Sequence, residues 1–340
     1  MVSGLFGTTG RVVALVVLAT GSVVQDTAPP ASYDWLLGQV TASGGDPVFG
    51  AESHEYAMTY GLVLSAAGHA GDEQTAELAA DWLQADMLDG GWGMAWTWDP
   101  FGDGSPTPAG TPFAITTAIA INGLMDWGMD HANAIEIGRI LVAWARTAWT
   151  DGYYWYSMLP RDAIDTPNVN AMLAGVTARF LATDTGALTP GDRSLLQDRV
   201  ARSFDHIAGG QAQSVSWRYS VVHEVVNDLS HHVYILWGAE LARDAGFRIG
   251  WTRADAIASL DRFDIVYPRD IRLTPDMAAR SESPWRVSGA GAALLFTCSW
   301  GGDVERWLAE ARRSIRAIPT VPRFAAHALP GLAMHAAGAC

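Results

Sequence analysis

The densest chemistry in this chain lies between Trp217 and Trp237, in the stretch WRYSVVHEVVNDLSHHVYILW. It brings together Trp217, Arg218, Tyr219, His223, Glu224, Asn227, Asp228, His231, His232 and Tyr234. The β-branched run from Val221 to Val226 disfavours a helix at its start. Asn227 and Asp228 are good N-caps, so a helix is expected from there. Asp228, His231 and His232 then fall at i, i+3 and i+4, and an acid and an imidazole share one face of the first turn. Two readings follow. In one, Asp228 caps a helix and the histidines are hydrogen-bonded core residues. In the other, Glu224, Asp228, His231 and Tyr219 are the catalytic acid–base cluster at the mouth of a pocket.

Other stretches could complete such a site. Asp99 stands between Trp98 and Pro100, where desolvation would raise its pKa. Glu52, Glu55, Asp103, Asp151, Asp162 and Asp165 are further acids near the same end, and Asp103 and Asp162 also read as turn residues. Cleaving a glycosidic bond takes two carboxylates, one protonated and one ionised or activating water. Trp92, Trp96, Trp98, Tyr154, Tyr156, Trp217 and Trp285 offer flat faces that stack on sugar C–H groups, or else they plug the end of a barrel. Arg218, Asn168, Asn170 and His232 are the polar residues expected to bind substrate beside them. His54, Glu55, His231 and His232 lack the spacing of a zinc helix motif, so neither a metal nor another cofactor is expected.

Composition narrows the classes. The chain has 340 residues, 49% hydrophobic and 17% charged, which suits a globular protein with a sizeable core. Its net charge of -14 argues against nucleic acid and anionic membranes as partners. All 22 basic residues are arginine, so Schiff-base chemistry and a Walker-type phosphate lysine are excluded. Cys298 sits in an apolar run and reads as a small buried residue, while Cys340 is the last residue. Two cysteines do not make a structural zinc site. Sequence leaves open whether they pair.

Residues 1–31 read as a targeting segment and linker. Arg11 precedes an apolar run, Val12 to Thr20, that is short for a stable membrane span. An export signal fits, with an uncleaved membrane anchor as the rival, so a secreted or cell-surface protein is expected.

From 32 to 340 the pattern is helical, and a single all-α domain is expected. Twelve helices are read at about 32–43, 53–69, 73–90, 112–127, 132–148, 167–183, 190–208, 228–244, 252–264, 286–299, 303–316 and 323–338. Odd members are amphipathic with charged faces; even members are apolar nearly all round and so buried all round. Six such hairpins imply an (α/α)6 toroid, with an inner ring of parallel helices inside an outer ring. The loops leading into inner helices, 44–52, 89–111, 149–166, 209–227, 265–285 and 317–322, then open at one end and carry the unusual residues. Thr111-Pro112 and Thr166-Pro167 look like helix starts.

With that architecture, the chain resembles the six-hairpin glycosidase-like superfamily, whose broader set includes α/α-barrel polysaccharide lyases and the C-terminal domain of glucuronyl C5-epimerases. Gly91-Trp92, Tyr154–Ser157, Asn168–Asn170 and Trp217–Tyr234 carry the resemblance. It is architectural and transfers no catalytic residue. It implies a carbohydrate-active enzyme working in an aromatic, acidic cleft, with hydrolysis slightly preferred. The alternatives are a uronate-directed lyase or epimerase, served by Tyr219, His231 or His232 with Arg218, and a non-catalytic glycan-binding toroid.

Overall fold

The computed structural model describes residues 32–42, 56–128, 130–183, 186–210, 217–220, 226–318 and 321–340. The targeting segment, Glu52, Glu55, His223 and Glu224 lie outside these residues.

Fourteen helices are described: α1 Tyr33–Ala42, α2 Ala57–Ala70, α3 Glu73–Ala85, α4 Ala114–Trp127, α5 His131–Thr147, α6 Pro167–Ala182, α7 Pro190–Gly209, α8 Leu229–Asp244, α9 Arg253–Leu260, α10 Pro275–Ser281, α11 Trp285–Trp300, α12 Val304–Ala317, α13 Pro322–Ala325 and α14 Leu329–Ala336. Helices α2, α4, α6, α8, α11 and α14 each pack on the next, and α14 returns to α2. That closes the inner ring. The outer helices α3, α7 and α12 pack on α2, α6 and α11, while α1 packs on α13 and α14, so the first helix seals the seam beside the last. The fold is the (α/α)6 toroid.

The two rings are built differently. Outer helices bury one stripe, as α12 does with Trp307, Leu308, Ala311 and Ile315. They also start on side-chain caps: Asp72, Asp130, Thr189, Thr252 and Asp303 accept the N3 backbone N–H of α3, α5, α7, α9 and α12. Inner helices bury nearly every residue. Of these, α2, α4, α6 and α11 start without a side-chain cap, whereas α8 is capped by Asp228.

Inner helices meet backbone to backbone. A Cβ added at Gly175 of α6 would lie less than 3.0 Å from the Gly238 carbonyl of α8, and one added at Gly238 would strike the Ala171 carbonyl. Gly61 of α2 and Gly123 of α4 form the same kind of contact. No side chain fits at these crossings.

Several boundaries differ from the sequence expectation. Helix α3 ends at Ala85 rather than 90, because Leu88 pairs with Gly91 in a tight hairpin. Helix α9 stops at Leu260, and α10 stands in the fifth loop where no helix was expected. The last inner element breaks into α13, a 3-10 turn at Ala326–Ala328 and α14, which holds Pro330 in its first turn. Pro112 pairs with Gly93, so α4 begins two residues beyond the expected start. Thr166 does precede α6, but its side chain makes no cap bond. In the third loop, Trp149–Thr150 and Tyr153–Tyr154 form a small hairpin across Asp151 and Gly152, both at positive φ.

Cys298 is buried and forms a disulfide with Cys340, tying the C-terminus to α11. Reduction should lower unfolding stability by about 2–4 kcal/mol, read by denaturant melts with and without a thiol. Gly238→Ala should cost about 3 kcal/mol by the same measurement, since the clash is with backbone; an unchanged melt would show that the two helices can separate freely.

Candidate active site

The loop end of the toroid encloses a cavity of about 750 Å³. Its floor comes from the first turns of the inner helices. Tyr56 and Met58 enter from α2, Ile115 from α4, Asn168 and Val169 from α6, Ser230, His231 and Tyr234 from α8, and Trp285 and Ser288 from α11. Phe324 and His327 enter just ahead of α14. Its walls are loops: Met94 to Phe101 on one side, and Tyr267 to Arg280 on another.

Asp228 and His231 pair within the cavity lining. Asp228 is 4% exposed and its Oδ1 accepts the His231 backbone N–H at 3.1 Å, capping α8. Its Oδ2 lies 2.8 Å from His231 Nδ1. Burial alone would raise this carboxyl. The charge and hydrogen bonds of His231, with Arg280 nearby, outweigh burial and hold it below the usual carboxylate range. An ionised carboxylate only accepts, so Nδ1 carries the proton that points at Asp228 Oδ2.

Aromatic rings frame the imidazole. Tyr219 meets it edge-on at 4.8 Å between centroids, Trp285 lies at 5.4 Å and Tyr234 at 6.3 Å. Burial, helped by the Asp228 charge, pushes the Tyr219 phenol up to about 12. Tyr156 beside it is raised well above its ordinary value, chiefly by burial. Tyr234 hydrogen-bonds His327 Nε2, and burial lowers the His327 imidazole to about 4, so it stays neutral.

The sequence candidates divide sharply. Asp228, His231, Tyr219, Asp99, Trp98, Tyr156, Asn168 and Trp285 all line the cavity. Asp99 does not have the raised pKa expected of it. Although desolvation pushes upward, backbone N–H groups of Gly104, Gly102 and Asp103 hold it low, and its role is to fold its own loop. Trp92 is fully buried, with its indole N–H donating to the Leu83 carbonyl at 2.7 Å. Tyr154 is buried and donates its backbone N–H to Asn170 Oδ1, while Asn170 Nδ2 donates to the Gly152 carbonyl. Trp217 donates to the Ile207 carbonyl at 3.0 Å and packs on Trp251. His232 points away to Ser259 at 2.8 Å, and burial drops its pKa to about 3. Trp96 packs on Tyr56 outside the lining, and Arg218 is exposed beyond it, pairing through its backbone with Val226. Glu224 lies outside the described residues. Trp92, Tyr154, Trp217, Asn170 and His232 therefore brace the loops and do not reach the cavity.

Sequence reasoning assigned no role to Tyr56, Tyr267, Asp276, Arg323 and His327. Tyr56 was legible in principle: it immediately precedes an inner helix, the position that Phe113, Thr166 and Asp228 hold elsewhere. Asp162, read as a turn residue, is 4% exposed and accepts the hydroxyls of Thr107 and Ser157, pinning the second loop to the third.

No protein-family model matches the chain, and no curated protein does. Solved structures do. An α-amylase from Clostridium perfringens aligns over 91% of this chain and 99% of its own at 10% identity, with a TM-score of 0.58. A reducing-end-xylose releasing exo-oligoxylanase, solved with xylose, aligns over 82% of this chain and 80% of its own at 13% identity, with a TM-score of 0.54. At these identities the likeness concerns the fold alone: the chain shares the toroidal build of these solved structures.

Proposed function

We propose that this chain is a carbohydrate-active enzyme that hydrolyses glycosidic bonds in the loop-end cavity. The observation that carries this reading is the Asp228–His231 pair, joined Oδ2 to Nδ1 at 2.8 Å and set among Tyr219, Trp98 and Trp285. Rings of that kind stack on pyranose faces. The toroids of similar shape, an α-amylase and an exo-oligoxylanase by description, supply the analogy.

In this mechanism Asp228 orients His231, and Nε2 takes a proton from the attacking water while the carboxylate stabilises the imidazolium. Each carboxylate oxygen keeps a free lone pair, so Asp228 can also accept from the water directly. The acid that protonates the leaving oxygen is sought at Glu224, Glu52 or Glu55. The disulfide between Cys298 and Cys340 supports export to an oxidising compartment, in keeping with the N-terminal apolar run.

A second reading has one observation in its favour: Arg272, Arg280 and Arg323 line the same cavity and would suit a uronate. Elimination or epimerisation at C5 would use Tyr219 as the base. Its phenol is pushed the wrong way for that work, so hydrolysis is preferred.

Asp228→Asn keeps the helix cap and should lower turnover on an oligosaccharide panel about 10²–10⁴-fold, with the fold intact by circular dichroism. Full activity in both Asp228→Asn and His231→Gln would sink the assignment. Binding without any new reducing ends would point to a non-catalytic module, and an ultraviolet-absorbing product to a lyase.

Acid stability offers a separate check. The folded Asp228 pKa is depressed, so its contribution is present above the unfolded value of about 3.9 and is lost as pH falls through the folded value. Wild type should therefore exceed Asp228→Asn in stability near neutrality, and the gap should close with acid. A gap constant with pH would mean that the carboxylate is not ionised in the fold.

A further inference from the structure

We infer that the substrate of this cavity is an acidic saccharide, with its anionic group held against Arg272 and Arg280 and a hydroxyl donated to Asn168. This rests on the hydrolase reading above and names its substrate class.

The arginines come first. Many arginines of the described residues are tied to carboxylates: Arg286 to Glu310, Arg253 to Glu240 and Asp244, Arg179 to Asp126. Arg272 and Arg280 line the cavity and make no ion pair among the described residues. In a chain of net charge -14, two guanidinia without a carboxylate on the wall of one cavity concentrate positive potential there. Arg280 is also held in place. It lies over the Trp285 ring at 5.6 Å and is near enough to Tyr267 and Asp228 to perturb both. A fork of donors fixed beside an aromatic platform is suited to a carboxylate or sulfate on a stacked sugar.

The opposing charges do not cancel this. Asp228 is spent on His231, and Asp99 on backbone N–H groups. Asp276 is exposed in the first turn of α10, where the helix end itself stabilises it.

Asn168 is the second, independent observation. It is 2% exposed, it lines the cavity, and its Oδ1 has no hydrogen-bond partner. A buried acceptor left bare calls for a donor. A carboxylate cannot supply one, but a sugar hydroxyl can. Helix α6, which carries Asn168, is separated from α11, beside the arginines, by α8 in the ring. One sugar chain crossing the cavity can therefore meet both kinds of group.

The test is calorimetric titration of the full chain with xylotriose, trigalacturonate and a sulfated galactan trisaccharide. An anionic trisaccharide should bind about tenfold more tightly than xylotriose, and the advantage should shrink at about 0.5 M salt. It should vanish in Arg272→Gln/Arg280→Gln, which alters exposed side chains and leaves the fold intact. Asn168→Ala should weaken all three ligands alike, with folding checked by its melting curve. Preference for the uronate assigns a carboxylate, and preference for the galactan assigns a sulfate ester; either supports the inference. Xylotriose binding as tightly as both anions, or an advantage that survives the double substitution, overturns it and leaves the hydrolase reading standing. Failure of all three to bind, with no cleavage on the wider panel, removes both.

Discussion

The contact on which the molecule depends is the close approach of neighbouring inner helices at glycine. Gly175 and Gly238 let α6 and α8 touch through their backbones, and Gly61 and Gly123 do the same for α2 and α4. Contact at that range sets the circumference of the ring. A wider ring would leave its axis unfilled, and voids in a close-packed interior are costly. The same tightness explains the composition of these helices. They are rich in alanine, glycine, serine and threonine because every side faces another helix. The cavity is what remains at one end, where the first turns diverge and the loops take over.

Those loops hold their shape through buried side chains bonded to backbone groups and hydroxyls around them. Asn170 bonds the backbone of Gly152 and Tyr154, Asp162 takes the hydroxyls of Thr107 and Ser157, and Trp92 and Trp217 anchor their loops to last-turn carbonyls of α3 and α7. Such residues look functional in a sequence because they are polar or aromatic, concentrated and far from any helix core. The difference between a brace and a binding group is only where the ring or amide points. Neighbouring positions show it: Trp92 faces inward to Leu83, whereas Trp98 faces the cavity.

This explains what the sequence made legible. The toroid could be read because two helix types alternate in burial, and burial writes itself in composition along a whole helix. Asp228 and His231 could be read because capping and an i, i+3 pair are local. His232, one residue further on, was misassigned: a rotation of about 100° per residue turns it onto Ser259 and out of the site. The cavity-facing set of Tyr56, Tyr267, Arg323 and His327 comes from segments distant in the chain. Only ring closure brings them together, and no local pattern encodes it.

Net charge misleads for a related reason. Outer and inner helices run in opposite directions, so the capped starts of α3, α5, α7, α9 and α12, three of them on aspartate, gather at the end away from the cavity. First-turn acids Glu73, Asp192, Asp255 and Glu305 sit there too. The uncapped starts of α2, α4, α6 and α11 face the cavity and add their partial positive charge to it. Basic residues in the last turns of inner helices, which would offset this at the far end, are neutralised locally: Arg179 by Asp126 and Arg243 by Glu240. These first-turn acids of the outer helices are thus displaced along the ring axis from its mouth. Those distant acids add little repulsion of an anionic sugar at the mouth, because screening limits each to roughly 8–10 Å.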